Sequence, residues 1–136
     1  MSFEEKINIL LVDDKPNNLM LLEAILESPE YHLVKAASGM EALKYILKED
    51  FAVILLDVMM PEMDGFETAK RLKQRDQSKD IPILFVTAMD PEEAMFKADL
   101  SGAVDYLFKP FDSDTLRSKV ALFVDLHKKN RLLWRK

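Results

Sequence analysis

Along this chain, short runs of consecutive apolar residues alternate with longer stretches in which apolar residues recur every three or four positions. The short runs are Ile7–Val12 (interrupted by Asn8), Ala52–Leu56 and Ile81–Val86, joined by two further short strand-like stretches, His32–Ala37 and Val104–Phe108, which carry Lys35 and Asp105. Continuous hydrophobicity, without a polar residue at every second place, predicts strands covered on both faces. The longer stretches predict helices: Leu19–Leu26 with Pro16 near its start and Pro29 beyond its end, then Met40–Leu47, then Phe66–Leu72. Ser38 is the expected N-cap of the second, with Glu41 three residues on. Pro61–Gly65 breaks the chain before the third. A fourth helix opens at Pro91 and ends near Gly102, and a fifth runs from Asp112 or Ser113 to about Trp134. Five strand–helix units predict an α/β fold, a doubly wound parallel sheet with helices on both faces.

Ligands of such sheets sit beyond the carboxyl ends of the strands, at the point where the strand order reverses. The residues there are Asp13 and Asp14 after the first strand, Asp57 after the third, Thr87 after the fourth and Lys109 after the fifth. In the order 2-1-3-4-5 these four strands are consecutive neighbours, so the polar groups converge. Singly, each has an ordinary explanation: an Asp caps the next helix, a Thr ends a strand, a Lys is solvated. Together they make a chemical set. Crowded carboxylates repel one another unless a cation intervenes, and Mg²⁺ takes one or two carboxylates while keeping water or phosphate oxygens. Asp57 could then act as a nucleophile on phosphorus, with Mg²⁺, the Lys109 ammonium and the Thr87 hydroxyl positioning and neutralising the phosphoryl oxygens.

Composition narrows the setting. A chain of 136 residues, 49% hydrophobic and 32% charged, is long enough for one cored domain. It has no cysteine, so disulfides and thiolate metal sites are excluded, and a cytoplasmic location is expected. No apolar run approaches the ~20 residues of a membrane helix, so no membrane partner is expected. Acidic residues outnumber basic ones 24 to 19, for a net charge of −5, which argues against nucleic acid as a partner of this domain. Basic residues cluster only at the C-terminus: Lys128, Lys129, Arg131, Arg135 and Lys136. Of the two histidines, His127 is followed by Lys-Lys-Asn-Arg rather than the surroundings of a phosphohistidine box, and both it and His32 are read as surface or core-edge residues.

The segments Ile9–Asp14, Ile54–Gly65, Val86–Ala88 and Lys109–Phe111 together resemble the receiver domains of two-component response regulators. The resemblance covers about residues 6–126 and fills all five signature positions. It implies a flavodoxin-like (βα)5 fold. Asp57 would be the phosphoacceptor; Asp13, Asp14, Asp57 and the backbone carbonyl of Met59 would hold Mg²⁺, Asp14 more directly and Asp13 partly through water. It further implies that Thr87 and Lys109 grip the phosphoryl oxygens, that the Lys109–Pro110 peptide is cis, and that Tyr106 is a switch aromatic coupled to Thr87. Ala88 would leave room for that motion. Met59 and Met89 flank the site, and their apolar side chains are expected to hinder water and prolong the phosphoryl group's lifetime.

On this reading residues 1–126 form the receiver and 127–136 extend the last helix or begin a linker. The protein is a signalling switch rather than an enzyme, phosphorylated by a histidine kinase or a histidine phosphotransfer protein. No helix-turn-helix or catalytic segment follows residue 126, so it acts by protein contact alone or belongs to a longer protein. Leu132, Leu133 and Trp134 suggest a helical dimer contact, packing back on the domain, or a linker; a homodimer through the fourth and fifth helices and the fifth strand is favoured. Two other classes do not fit these residues. A haloacid-dehalogenase-like phosphatase wants two Asp separated by one residue after the first strand, whereas Asp13 and Asp14 are adjacent. A degenerate receiver serving only as a scaffold should have lost an acidic or Lys position, and none is lost.

Overall fold

The strands are β1 (Ile7–Val12), β2 (Tyr31–Ala36), β3 (Val53–Leu56), β4 (Ile83–Thr87) and β5 (Asp105–Phe108). They alternate with α1 (Pro16–Leu26), α2 (Gly39–Ile46), α3 (Gly65–Lys73), α4 (Pro91–Ser101) and α5 (Ser113–Trp134) in a computed structural model that describes residues 6–101 and 105–134. All strand pairs are parallel, in the order β2-β1-β3-β4-β5 expected from the sequence.

Because successive strand residues point to opposite faces, the continuous apolar runs feed two cores. Leu10, Val12, Ile54, Leu56, Ile83 and Phe85 meet Leu43 and Ile46 of α2 and Leu72 of α3 on one face. Ile9, Leu11, Val53, Leu55, Leu84 and Val86 meet Leu19 and Leu22 of α1 and Leu116, Val120, Phe123 and Val124 of α5 on the other. A strand slipped by one residue would exchange the two sets, so the register is fixed from both sides.

Local chemistry sets the helix ends. Ser38 Oγ accepts from the Glu41 N–H at 3.1 Å, as its spacing predicts, and Asp112 Oδ2 accepts from the Thr115 N–H at 3.2 Å. Asp64 Oδ1 accepts from Glu67 N–H at 2.8 Å, so α3 begins at Gly65, one residue earlier than the hydrophobic pattern suggests. β4 begins two residues later than its pattern, because the Ile81 N–H is turned into a bond with Ser78 C=O and Pro82 has no N–H. The Lys109–Pro110 peptide is cis.

The last helix is one unbroken element to Trp134, and its lower half lies along the amino ends of the strands. There His127, pushed below its ordinary pKa mainly by burial, lies 3.7 Å from Asp50, and Lys128 pairs with Glu30. His32 is exposed beside Asn8. The side chains of Leu132, Leu133 and Trp134, and the residues Gly102, Val104, Arg135 and Lys136, lie outside the described residues. No helix among the described residues is long and apolar enough to cross a membrane.

Candidate functional site

β1 and β3 lie side by side with Val12 opposite Leu56. The ladder continues one step past each strand: Asp13 N–H donates to Ala36 C=O at 3.1 Å and Asp57 N–H to Val12 C=O at 3.0 Å. Both acids are thus held by sheet backbone, not by a loop. Thr87 ends β4, and its C=O accepts from Lys109 N–H at 2.8 Å, which draws the start of the β5–α5 connection to the same edge. The residues that the sequence places at four strand ends are gathered at one edge of the sheet.

One carboxylate oxygen each from Asp13, Asp14 and Asp57 lies within 4.8 Å of the other two. Asp13 and Asp57 are buried, at 2% and 7% exposure, and Asp14 is half-buried. Burial, followed by the charge of Asp13, pushes the Asp57 carboxyl up to about 6, against the opposing pull of Lys109 and of backbone hydrogen bonds from Met59 and Val58. The Lys109 ammonium stands 3.8 Å from Asp13 Oδ2, beyond hydrogen-bond length. Thr87 is fully buried, and its hydroxyl oxygen accepts from the Met89 N–H at 3.1 Å.

The two leading carboxylates are satisfied very differently. Asp13 Oδ1 accepts from Lys15 N–H at 2.9 Å and Oδ2 from the Asn18 side-chain amide at 3.0 Å. Asp14 Oδ1 is buried with no hydrogen-bond partner, the one such side-chain atom among the described residues. An ionised oxygen in that condition is costly unless something absent from the protein itself completes it. Three crowded carboxylates, together with the orphaned Asp14 Oδ1, fit a hard divalent cation with oxygen ligands.

The segment after β3 is shaped by close backbone approach. Gly65 N–H donates to Val58 C=O at 2.9 Å, and a Cβ on Gly65 would lie 2.3 Å from the Asp57 carbonyl oxygen and 2.7 Å from Val58 Cα. Only glycine lets α3 start this near the acceptor. Glu62 in the same segment has φ 67°, in the left-handed region. Met59 projects outward, 60% exposed, while Met89 is half-buried against the core. Tyr106 is half-buried on β5, stacked on Phe108 at 5.7 Å between ring centroids and packed against the α2/α3-side core. Gly65 closes the segment at which the sequence breaks before the third helix, and the Asp-Gly pair there is its signal; Asn18 carries no sequence signal beyond its place in the first turn of the helix after Asp13.

Residues 9–121 match the family of the response regulator receiver domain. The transcriptional regulatory protein ZraR of Klebsiella oxytoca is 39% identical over 113 residues, which cover 83% of this chain and 25% of that protein. This chain spans about a quarter of the length of the curated relatives it matches. Among solved structures, the Vibrio cholerae chemotaxis protein CheY4 superposes with a TM-score of 0.81 at 34% identity, covering 88% of this chain and 99% of the other. The receiver domain of the sensor histidine kinase PA1611 from Pseudomonas aeruginosa, solved with a magnesium ion in its active site cleft, gives 0.81 at 27% identity, covering 89% of this chain and 99% of that one.

Proposed function

Since the chain belongs to the response regulator receiver domain family, we propose that it is a signalling switch phosphorylated on Asp57 in a Mg²⁺-assisted transfer from a histidine kinase or a histidine phosphotransfer protein. The observation that carries this reading is the gathering of Asp13, Asp14 and Asp57 within 4.8 Å, with Lys109 and buried Thr87 on the same sheet edge. Asp13, Asp14, Asp57 and the Met59 carbonyl would hold the metal ion, which would screen the carboxylates from one another and neutralise phosphoryl charge. Asp14, with its orphaned oxygen, is suited to direct ligation, whereas Asp13, with both oxygens already engaged, is suited to ligation through water.

Asp57 does the covalent chemistry. One of its carboxylate oxygens forms a bond to phosphorus as the bond from phosphorus to the donor's nitrogen or oxygen breaks, and the donor leaves with that electron pair. Lys109 supplies a positive charge to the phosphoryl oxygens and Thr87 a hydroxyl donor. While its oxygen accepts from the Met89 N–H, the Thr87 hydroxyl keeps its own O–H to donate to them, and Tyr106 on the adjacent strand is the neighbour that would respond as Thr87 shifts toward them.

Residues 1–126 constitute the switch, and 127–136 extend α5 or lead into a linker. The output is a change of protein contact, and a homodimer through α4, β5 and α5 is part of this reading: Phe96 on α4 and Leu122 on α5 leave large apolar side chains exposed. A cytoplasmic setting beside the donor completes it.

Intact mass after incubation with Mg²⁺ and acetyl phosphate tests the assignment, beside an Asp57→Asn control. One added phosphoryl group, lost without Mg²⁺ and in the control, is expected. No adduct, with beryllofluoride also failing to bind, would replace the switch with a non-phosphorylated scaffold.

A further inference from the structure

The side chain of Asn18 takes no part in the steps assigned to Asp57, Thr87 and Lys109, yet its position is unusual. It sits in the first turn of α1, where an Asn is ordinarily spent on capping its own helix. Here the cap residue, Lys15, makes no side-chain cap bond, and the Asn18 amide reaches back instead to the carboxylate that follows β1. Its Nδ2 donates to Asp13 Oδ2 at 3.0 Å, the same oxygen that faces Lys109 Nζ at 3.8 Å. The other oxygen of Asp13 is already held by the Lys15 N–H.

Two cationic or amide donors therefore address one buried oxygen, and only Asn18 makes a hydrogen bond to it. We propose that Asn18 is a positioning residue that satisfies Asp13 Oδ2, so that Lys109 is kept loosely tied and free to move to the phosphoryl group. This rests on the assignment of Lys109 as a phosphoryl-binding group. The physical reason is the burial of Asp13, a residue 2% exposed, whose carboxylate cannot turn to bulk water when Lys109 leaves. With the amide in place the oxygen keeps a donor throughout. Without it, Lys109 closes to a charge-assisted hydrogen bond with Asp13, which must be broken each time a phosphoryl group is bound.

Asn18→Leu tests this, because Leu approximates the side chain's size, favours helix and has no donor; Asn18→Ala serves as the second variant should the first perturb packing. Phosphorylation rates are read by intact mass over a range of acetyl phosphate concentrations, and Mg²⁺ affinity by the metal-dependent shift of the urea unfolding midpoint. The expected result is a KM for acetyl phosphate raised about five- to tenfold, the effect of roughly one hydrogen bond. Because Lys109 takes over the vacated oxygen, kcat and Mg²⁺ affinity should stay within about twofold of the parent. An unchanged KM in a folded variant overturns the proposal, as does a loss of Mg²⁺ affinity or kcat as large as the change in KM, which would mark Asn18 as a general prop for the acidic cluster. Failure of the parent protein itself to be phosphorylated would instead overturn the assignment of the switch.

Discussion

Removing the charge of Asp57 should stabilise this domain in the absence of divalent metal. Burial, and after it the charge of Asp13, pushes this carboxyl from an ordinary 3.8 up to about 6 in the folded protein. That rise corresponds to at most roughly 3 kcal/mol of destabilisation when the group is ionised, reduced by the solvent that screens the open side of the site. Asp57→Asn keeps the shape and removes the charge, and since an amide restores only part of the lost solvation, a gain of about 1–3 kcal/mol is expected. The pH dependence has a definite sign. Between about pH 4 and 6 the folded state holds a proton that the unfolded state has released, so the parent gains stability as pH falls through this window. The advantage of the variant should be complete at neutral pH and should shrink toward zero near pH 4. Urea unfolding followed by circular dichroism, in chelator, at about pH 7.5 and again near pH 4.5, reads both the gain and its loss. Mg²⁺ should reverse the order: a ligand at about 100 times its Kd stabilises the form it binds by ~2.7 kcal/mol, and the variant has lost one of the ligands. A variant no more stable than the parent at neutral pH in chelator, or a gain that persists unchanged at low pH, would refute the reasoning.

Other consequences are as direct. Gly65→Ala places a Cβ 2.3 Å from the Asp57 carbonyl oxygen, and because the obstacle is backbone it should cost about 1–3 kcal/mol by urea midpoint and slow phosphorylation; an unperturbed midpoint would show that α3 can withdraw freely. Glu62→Gly relieves a left-handed residue at φ 67° and should stabilise the domain by up to about 1 kcal/mol; a clear loss would mean that the Glu62 side chain contributes more than its backbone costs. If Met59 and Met89 exclude water from the phosphorylated site, loss of the adduct followed by mass should take far longer than seconds, and Met59→Asn should shorten it; decay within seconds in the parent would count against that role.

How much of this was legible beforehand follows from what each signal depends on. The strands at Ile7–Val12 and Val53–Leu56 are readable because burial on both faces leaves room for a single polar residue, Asn8, and the strand order puts Asp13, Asp57, Thr87 and Lys109 at one edge. The start of β4 is not legible because Ile81 is apolar and buried while its N–H serves a turn; hydrophobicity reports burial, not hydrogen-bond partners. The orphaned oxygen of Asp14 and the bond from Asn18 to Asp13 were illegible for a different reason. Both depend on the angle at which α1 leaves the sheet, which no local pattern encodes.

The backbone bonds that carry the ladder one step past β1 and β3 separate the molecule into two regions with unequal freedom to diverge. Asp13 and Asp57 inherit their positions from paired strands, so the spacing between them is insensitive to what joins the strands at the opposite end of the sheet. Connections there, around Asp50 and from Asp76 to Asp80, can be lengthened or rebuilt without altering the geometry of the acceptor. Descendants of this sequence should accordingly accumulate insertions at that end, where new binding specificities can arise, while the segments after β1 and β3 hold their length.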